Sequence, residues 1–445
     1  MEAQKEKALG LAKELMTFIH EAPSMFHTIE GIKKELAAAD FQPLKEGQAW
    51  SLTRGGRYYV TRNDSSLIAF TVGEDLEEAH FQLTASHSDS PTFKLKSEAL
   101  LQGPGPYTRL NVEGYGGMID ASWLDRPLSL AGRVMVDTPE GLTARLVDLD
   151  EDLLIIPNAP IHFNRSVNSG YEFNHQRDLI PLYSTTKLDR AAFEERIAEA
   201  AGVRADQILS RDLFLVNRQA PALIGPDQAL VGSPKLDDLQ CAFAALRGFL
   251  AGHNPSWINV YACFDNEEVG SNTKQGALST FLKDSLARIL AALGYPAESY
   301  YQAVARSFLV SCDNAHAFHP NRPDFYDEGN RVFLNEGVVI KENASQSYTS
   351  DAFSQAVFKK ICAKAAVPCQ HFANRSDVRG GSTLGNLSNT QVSLHAVDIG
   401  LAQLAMHSAY ETCGSLDTLY AVQALQCFYS TNIQIDGASG ARFLD

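Results

Sequence analysis

The 445-residue sequence contains no uninterrupted apolar run of about 18 residues, so no part of it reads as a bilayer-spanning helix. Runs of Lys or Arg are also missing. Its 38 basic residues stand against 53 acidic ones, a formal charge of −15. A surface of that sign repels phosphate backbones and anionic lipid, which argues against nucleic-acid and membrane partners. The seven cysteines, all between positions 241 and 427, form no C-x-x-C pair. An odd number of thiols scattered through apolar text predicts buried free cysteines in a reducing compartment. No Gly-rich phosphate loop with a trailing Lys occurs, nor a G-x-S-x-G nucleophile elbow. Residues 1–26 carry Lys5, Lys7, Lys13 and Glu14 among apolar positions. That is the pattern of an amphipathic helix, not of a secretory leader, so a soluble cytoplasmic protein is expected.

What is present is ample apolar material: 45% hydrophobic against 20% charged residues, enough for a large core spread over two or three domains. Helical spacing runs through Leu9, Leu11, Leu15, Phe18 and Ile19, and again through Ile29, Ile32 and Leu36. Short β-like runs follow at 57–61, 66–72 and 81–85. From about residue 230 the alternation is plainer. A helix through Leu236, Leu239, Phe243, Leu246 and Leu250 precedes a strand at Ile258–Phe264. Helices at 277–293 and 352–366, strands at 307–312 and 392–397, and a helix beginning in 401–410 continue the pattern. Such repeats predict an α/β domain with a mostly parallel central sheet covered on both faces. Residues 95–229 differ. They are broken by Gly and Pro, contain β-like segments at 128–136 and 142–149, and hold one convincing helix, Arg190–Ala201. This predicts a β-rich domain inserted into the first, which becomes discontinuous over 1–94 and 230–445.

Four segments bear the residues of hydrolytic chemistry. In Ser86-His87-Ser88-Asp89 a strand runs into a His with a carboxylate two residues on. A metal-bound imidazole commonly donates its second N–H to such a carboxylate, although a loop pair reads the same way. Lys235-Leu236-Asp237-Asp238 opens a helix, where by itself capping explains two acids. Asp265-Asn266-Glu267-Glu268 follows the buried strand Ile258–Phe264. Three acids there are costly unless a cation binds, and open α/β sheets place ligands at such strand ends. Cys312-Asp313-Asn314-Ala315-His316 repeats the strand-then-acid order, and Met406-His407-Ser408 follows on the expected helix. His316, His319 and His395 compete for any ligand role. One His per ion, further carboxylates and a shared Asp suit two Zn²⁺-class ions about 3.5–4 Å apart.

Together the segments TASHSDSPTFKLK (84–96), SPKLDDLQ (233–240), FDNEEVGS (264–271), SCDNAHAFHPN (311–321) and SDVRGGSTLG with AMHS (376–385, 405–408) resemble, in order and nearly end to end, the aspartyl aminopeptidase family of cocatalytic zinc exopeptidases. The resemblance implies that His87 and Asp313 hold one ion, Glu268 and His407 the other, and that Asp237 bridges them. Glu267 matches the general base and Asp89 the orienter of His87. Asp238 stands where the family often has Asn and would add negative charge near the ions. The resemblance further implies two Zn²⁺ per subunit, with Co²⁺ or Mn²⁺ as substitutes, and peptide substrates with a free N-terminus. It also implies that the inserted β-rich domain dimerises and that dimers assemble into a dodecamer. His162 matches a His that contacts substrate, across a subunit boundary, or lies near the metals. Lys341 and Tyr348 match a pair that meets an acidic N-terminal side chain. Two other readings remain at this point: a metal-dependent deacylase or carboxypeptidase-like amidohydrolase, and an inert assembly shell.

Overall fold

The computed structural model describes residues 2–76, 78–437 and 439–444. At its centre lies a nine-stranded sheet in the order Gln42–Leu44, Arg57–Arg62, Ser66–Val72, Ile258–Phe264, Phe81–His87, Phe308–Cys312, His395–Gly400, Val338–Lys341, Cys369–Phe372. The four strands from Ile258–Phe264 to His395–Gly400 run parallel, and antiparallel neighbours flank them on either side. The sheet is therefore mixed, with its parallel strands in the middle.

Successive side chains of a strand point to opposite faces, and the two cores divide accordingly. Tyr261, Cys263, Val310 and Ile399 face a cluster built with the helices Glu2–His20, Met25–Ala38, Leu236–Ala251, Ala352–Lys364 and Asp417–Ser430. Val260, Ala262, Leu83 and Leu309 face a second cluster with Phe281, Leu286 and Ile289 of the helix Phe281–Ala292. Strands buried on both sides read as unbroken apolar runs, which is why Ile258–Phe264 was visible in the sequence to the residue.

A separate six-stranded antiparallel sheet takes all its strands from residues 92–217, in the order Gly141–Asp148, Leu128–Thr138, Ile208–Asn217, Thr92–Gln102, Thr108–Tyr115, Leu182–Ser184. Phe193 and Ile197 of the helix Arg190–Ala201 close its core over Phe93, Val134 and Leu213. Among the described residues no helix is long and apolar enough to cross a membrane. All seven cysteines are free thiols.

One expected element is corrected. Residues 401–410 do not begin a helix: a short strand, Ala402–Leu404, is followed by a turn in which Ala405 and His407 take left-handed φ values of 57° and 65°. Two such residues in three positions are incompatible with a right-handed helix. Elsewhere boundaries move: the helix expected at 277–293 begins at Phe281.

Candidate active site

The parallel strands deliver their acids and imidazole to one end of the sheet. His87 closes the strand Phe81–His87, Asp265–Glu268 follow Ile258–Phe264, and Asp313 follows Phe308–Cys312. Asp237 comes from the start of the helix Leu236–Ala251 with φ/ψ of −81°/110°, but its carboxylate does not serve as a cap: its oxygens lie toward His87 and His407, and Oδ1 has no hydrogen-bond partner. His407 arrives on the turn described above. Glu411 fixes both of these ligand candidates by accepting the backbone N–H groups of Asp237 (3.0 Å) and His407 (2.7 Å).

The side chains converge. His87 Nε2 lies 3.3 Å from Asp237 Oδ1 and 3.8 Å from Asp313 Oδ1. His407 Nε2 lies 3.6 Å from Asp237 Oδ2 and 3.3 Å from Glu268 Oε2. Each oxygen of Asp237 thus faces a different imidazole, the arrangement of a carboxylate between two cation positions. Three sets of donors lie close enough to share an ion: His87, Asp237, Asp238 and Asp313; His87, Glu267 and Glu268; Asp237, Glu268 and His407. Asp237 Oδ1 and Glu268 Oε1 are buried without a hydrogen-bond partner. Orphaned buried carboxylate oxygens are costly, and a divalent cation with N and O preference satisfies them, so the donor set fits zinc.

Electrostatics point the same way. Burial opposes charge on His87, yet Asp238, Asp237, Asp313 and Asp89 together lift its pKa well above the usual value. Burial, with Asp313, Asp89 and Asp237 adding to it and His87 opposing, pushes Glu267 up to about 8. Burial and Asp237 raise Glu268 strongly as well. So many buried carboxyls hold protons unless positive charge replaces them. Asp238 is the residue where the sequence suggested extra negative charge. Its Oδ2 accepts the backbone N–H of His87 at 2.9 Å, and burial raises its pKa well above the carboxylate range.

Asp89 lies beneath the cluster. His87 Nδ1 is 3.1 Å from its carbonyl and 3.4 Å from its Oδ1. Its carboxylate also accepts the N–H groups of Glu267 and Glu268, each at 3.2 Å, and the hydroxyl of Tyr115. Beside the cluster opens a crevice of about 210 Å³, lined by Asp237, Glu267, Asp313, His316, Lys341, Tyr348, Phe372, Gly381–Thr383, Met406 and His407. Lys341 is buried, and its ammonium donates to the carbonyls of Asp313 (2.8 Å) and Asn314 (3.3 Å) beneath the Tyr348 ring. Of the sequence candidates, only His162 stands apart, exposed on a turn after Pro160. Among the rival imidazoles His316 enters the crevice. His319 accepts an N–H from Asn321, and His395 packs on Phe353 at the opposite end of its strand. Sequence reading missed Glu411, Asn266 and Tyr115. Glu411, an acid four residues after His407, carried a signal; Tyr115 carried none.

The model for the family described as aminopeptidase I zinc metalloprotease (M18) matches residues 18–429. A relative from Clostridium novyi (strain NT), a probable M18 family aminopeptidase 2, is 43% identical over 431 residues, covering 95% of this chain and 99% of its own. Among solved structures, one from a cryo-EM study of the Ape4 and Nbr1 complex superposes with a TM-score of 0.92 at 34% identity, over 96% of this chain and 86% of that one. The S. cerevisiae mApe1 dodecamer shares the fold at a TM-score of 0.82 and 24% identity, over 95% of this chain and 96% of that one. With this likeness end to end, a zinc-suited donor cluster at the sheet's edge and the fold in common, the chain belongs to the M18 family of zinc aminopeptidases.

Proposed function

We propose that the chain is a dizinc aminopeptidase that removes N-terminal residues, acidic ones by preference, from peptides. The observation that carries this reading is the Asp237 carboxylate with one oxygen toward His87 and the other toward His407. His87 and Asp313 would hold one ion and Glu268 and His407 the other, with Asp237 between them. Ions bound there would lower the pKa of an attacking water and polarise the scissile carbonyl.

The remaining work falls to the chain's own side chains. Glu267, on the crevice wall, accepts the proton of the water whose oxygen bonds to the carbonyl carbon. As the C–N bond breaks, the same carboxyl passes that proton to the departing amine. Asp89 keeps His87 in one tautomer and orientation. The free α-amino group meets the carboxylates of the cluster. Lys341 and Tyr348 line the space where an acidic side chain would sit, with the one ammonium among the crevice residues. No arginine is among those residues, whereas a carboxypeptidase-like enzyme usually binds its substrate's carboxylate with one.

Residues 95–229 form, in this proposal, an inserted domain between the catalytic parts 1–94 and 230–445. It carries the dimer contact and presents His162 to substrate at a neighbouring site, dimers joining into a dodecamer in the cytoplasm. The deciding experiment is a panel of aminoacyl arylamides on zinc-, cobalt- and manganese-reconstituted protein, with native mass measured on the same sample. Turnover of free but not acetylated N-termini is expected, with glutamyl and aspartyl substrates ahead. Cleavage of acetylated substrates would instead support a deacylase, and absence of all turnover an inert shell.

A further inference from the structure

We propose that Tyr115, delivered by the antiparallel sheet, is the positioning residue of the turn that bears Glu267 and Glu268; this rests on the reading of Glu267 as proton acceptor. Tyr115 ends the strand Thr108–Tyr115, 151 residues away in sequence from Asn266. Its hydroxyl donates to Asp89 Oδ2 at 2.7 Å and accepts from Asn266 Nδ2 at 2.8 Å. The two partners are the two supports of the turn. Asp89 takes the N–H of Glu267 on Oδ1 and that of Glu268 on Oδ2. Asn266, left-handed at φ 62°, begins the turn, and its side-chain oxygen accepts from Thr273 (2.9 Å) and Gln275 (2.7 Å).

One phenol therefore joins both supports in a closed network. Without it, Asp89 loses its closest side-chain donor and Asn266 loses its acceptor, next to the carboxyls whose placement sets proton transfer. The ring itself is anchored independently, edge-on to Phe214 with centroids 5.6 Å apart and against the Met25 and Phe26 cluster. The next residue, Gly116, approaches so closely at φ 78° that a Cβ there would lie 3.1 Å from the Cβ of Glu268. The β-rich sheet thus reaches the reacting end of the α/β sheet by one hydroxyl and one glycine.

Tyr115→Phe deletes the hydroxyl and keeps the ring. On the full-length zinc-loaded protein, with leucyl and glutamyl p-nitroanilides, kcat should fall about 10- to 100-fold with KM within about twofold. Zinc affinity, read by chelator competition, should weaken about tenfold, because Glu268 and His87 lean on the same carboxylate. In an Asp89→Asn background, where the clamp is already broken, the same hydroxyl should matter less than about twofold, whereas a packing role would cost an equal factor in both backgrounds. Any one of three results overturns the proposal: kcat of Tyr115→Phe within twofold of wild type, unchanged zinc affinity, or an equal loss with and without Asp89. Glu267→Gln, assayed in parallel, separates the two claims. An active Glu267→Gln enzyme defeats the proton-acceptor reading, while an inactive one beside a fully active Tyr115→Phe defeats the proposal alone.

Discussion

Stripping the metal should make stability fall as pH rises through the neutral range, and the effect can be sized from one carboxyl. Glu267 has a folded pKa of about 8 against an ordinary 4.5, raised mainly by burial. Between those values the fold holds a proton that the unfolded chain releases, so stability declines with increasing pH. Glu411, also raised to about 8 by burial and Asp237, acts with the same sign. So does His87, whose raised pKa favours the fold at low pH and loses that contribution as pH climbs. At about 1.4 kcal/mol per pH unit, flattening as pH reaches the folded pKa, one such carboxyl costs roughly 2 kcal/mol between pH 6 and 8. With an unfolding entropy of about 2.1 cal/mol/K per residue, that is about 2 °C in Tm for a chain of this length. Zinc replaces the protons, so the loaded protein should lack this slope. Scanning calorimetry of chelator-treated and zinc-reloaded protein at pH 6, 7 and 8 measures the difference directly. Parallel Tm profiles for the two forms would refute the reasoning.

Glu267→Gln should retain its zinc by elemental analysis yet lose about 10²–10⁴ in kcat, and full turnover would remove the proton-transfer role. Lys341→Met should cut kcat/KM at least about tenfold more for glutamyl than for leucyl arylamide if the ammonium reads an acidic side chain. Equal losses would confine Lys341 to bracing the carbonyls of Asp313 and Asn314. Gly116→Ala forces a side chain into left-handed backbone and against Glu268, which should cost about 1–2 kcal/mol in chemical denaturation and weaken zinc retention in dialysis.

How much of this could be read from the sequence depended on how local each cause was. The strand Ile258–Phe264 announced itself because burial on both faces demands continuous apolar text, and the acids after it stood out because nothing else explains them there. Asp237 was ambiguous: its sequence position suggests a helix cap, and only the placement of its oxygens toward His87 and His407 separates it from that role. The surroundings of His407 were misread because Leu401 and Leu404 stand three apart, as on one face of a helix. The turn that replaces the helix is held by Glu411, which also grips Asp237 174 residues away, and such pairings leave no local pattern. Tyr115 sits in ordinary β-strand text, and its partners lie in other elements. Local propensity places strands and their terminal acids; the shape of the crevice comes from contacts between distant segments.

Anomalous diffraction at the zinc edge tests most directly whether Asp237 is the shared ligand of two ions. Two peaks about 3.5–4 Å apart are predicted, one beside His87 and Asp313, the other beside Glu268 and His407, with an oxygen of Asp237 on each. A single fully occupied peak, or a pair bridged by any residue other than Asp237, would contradict it.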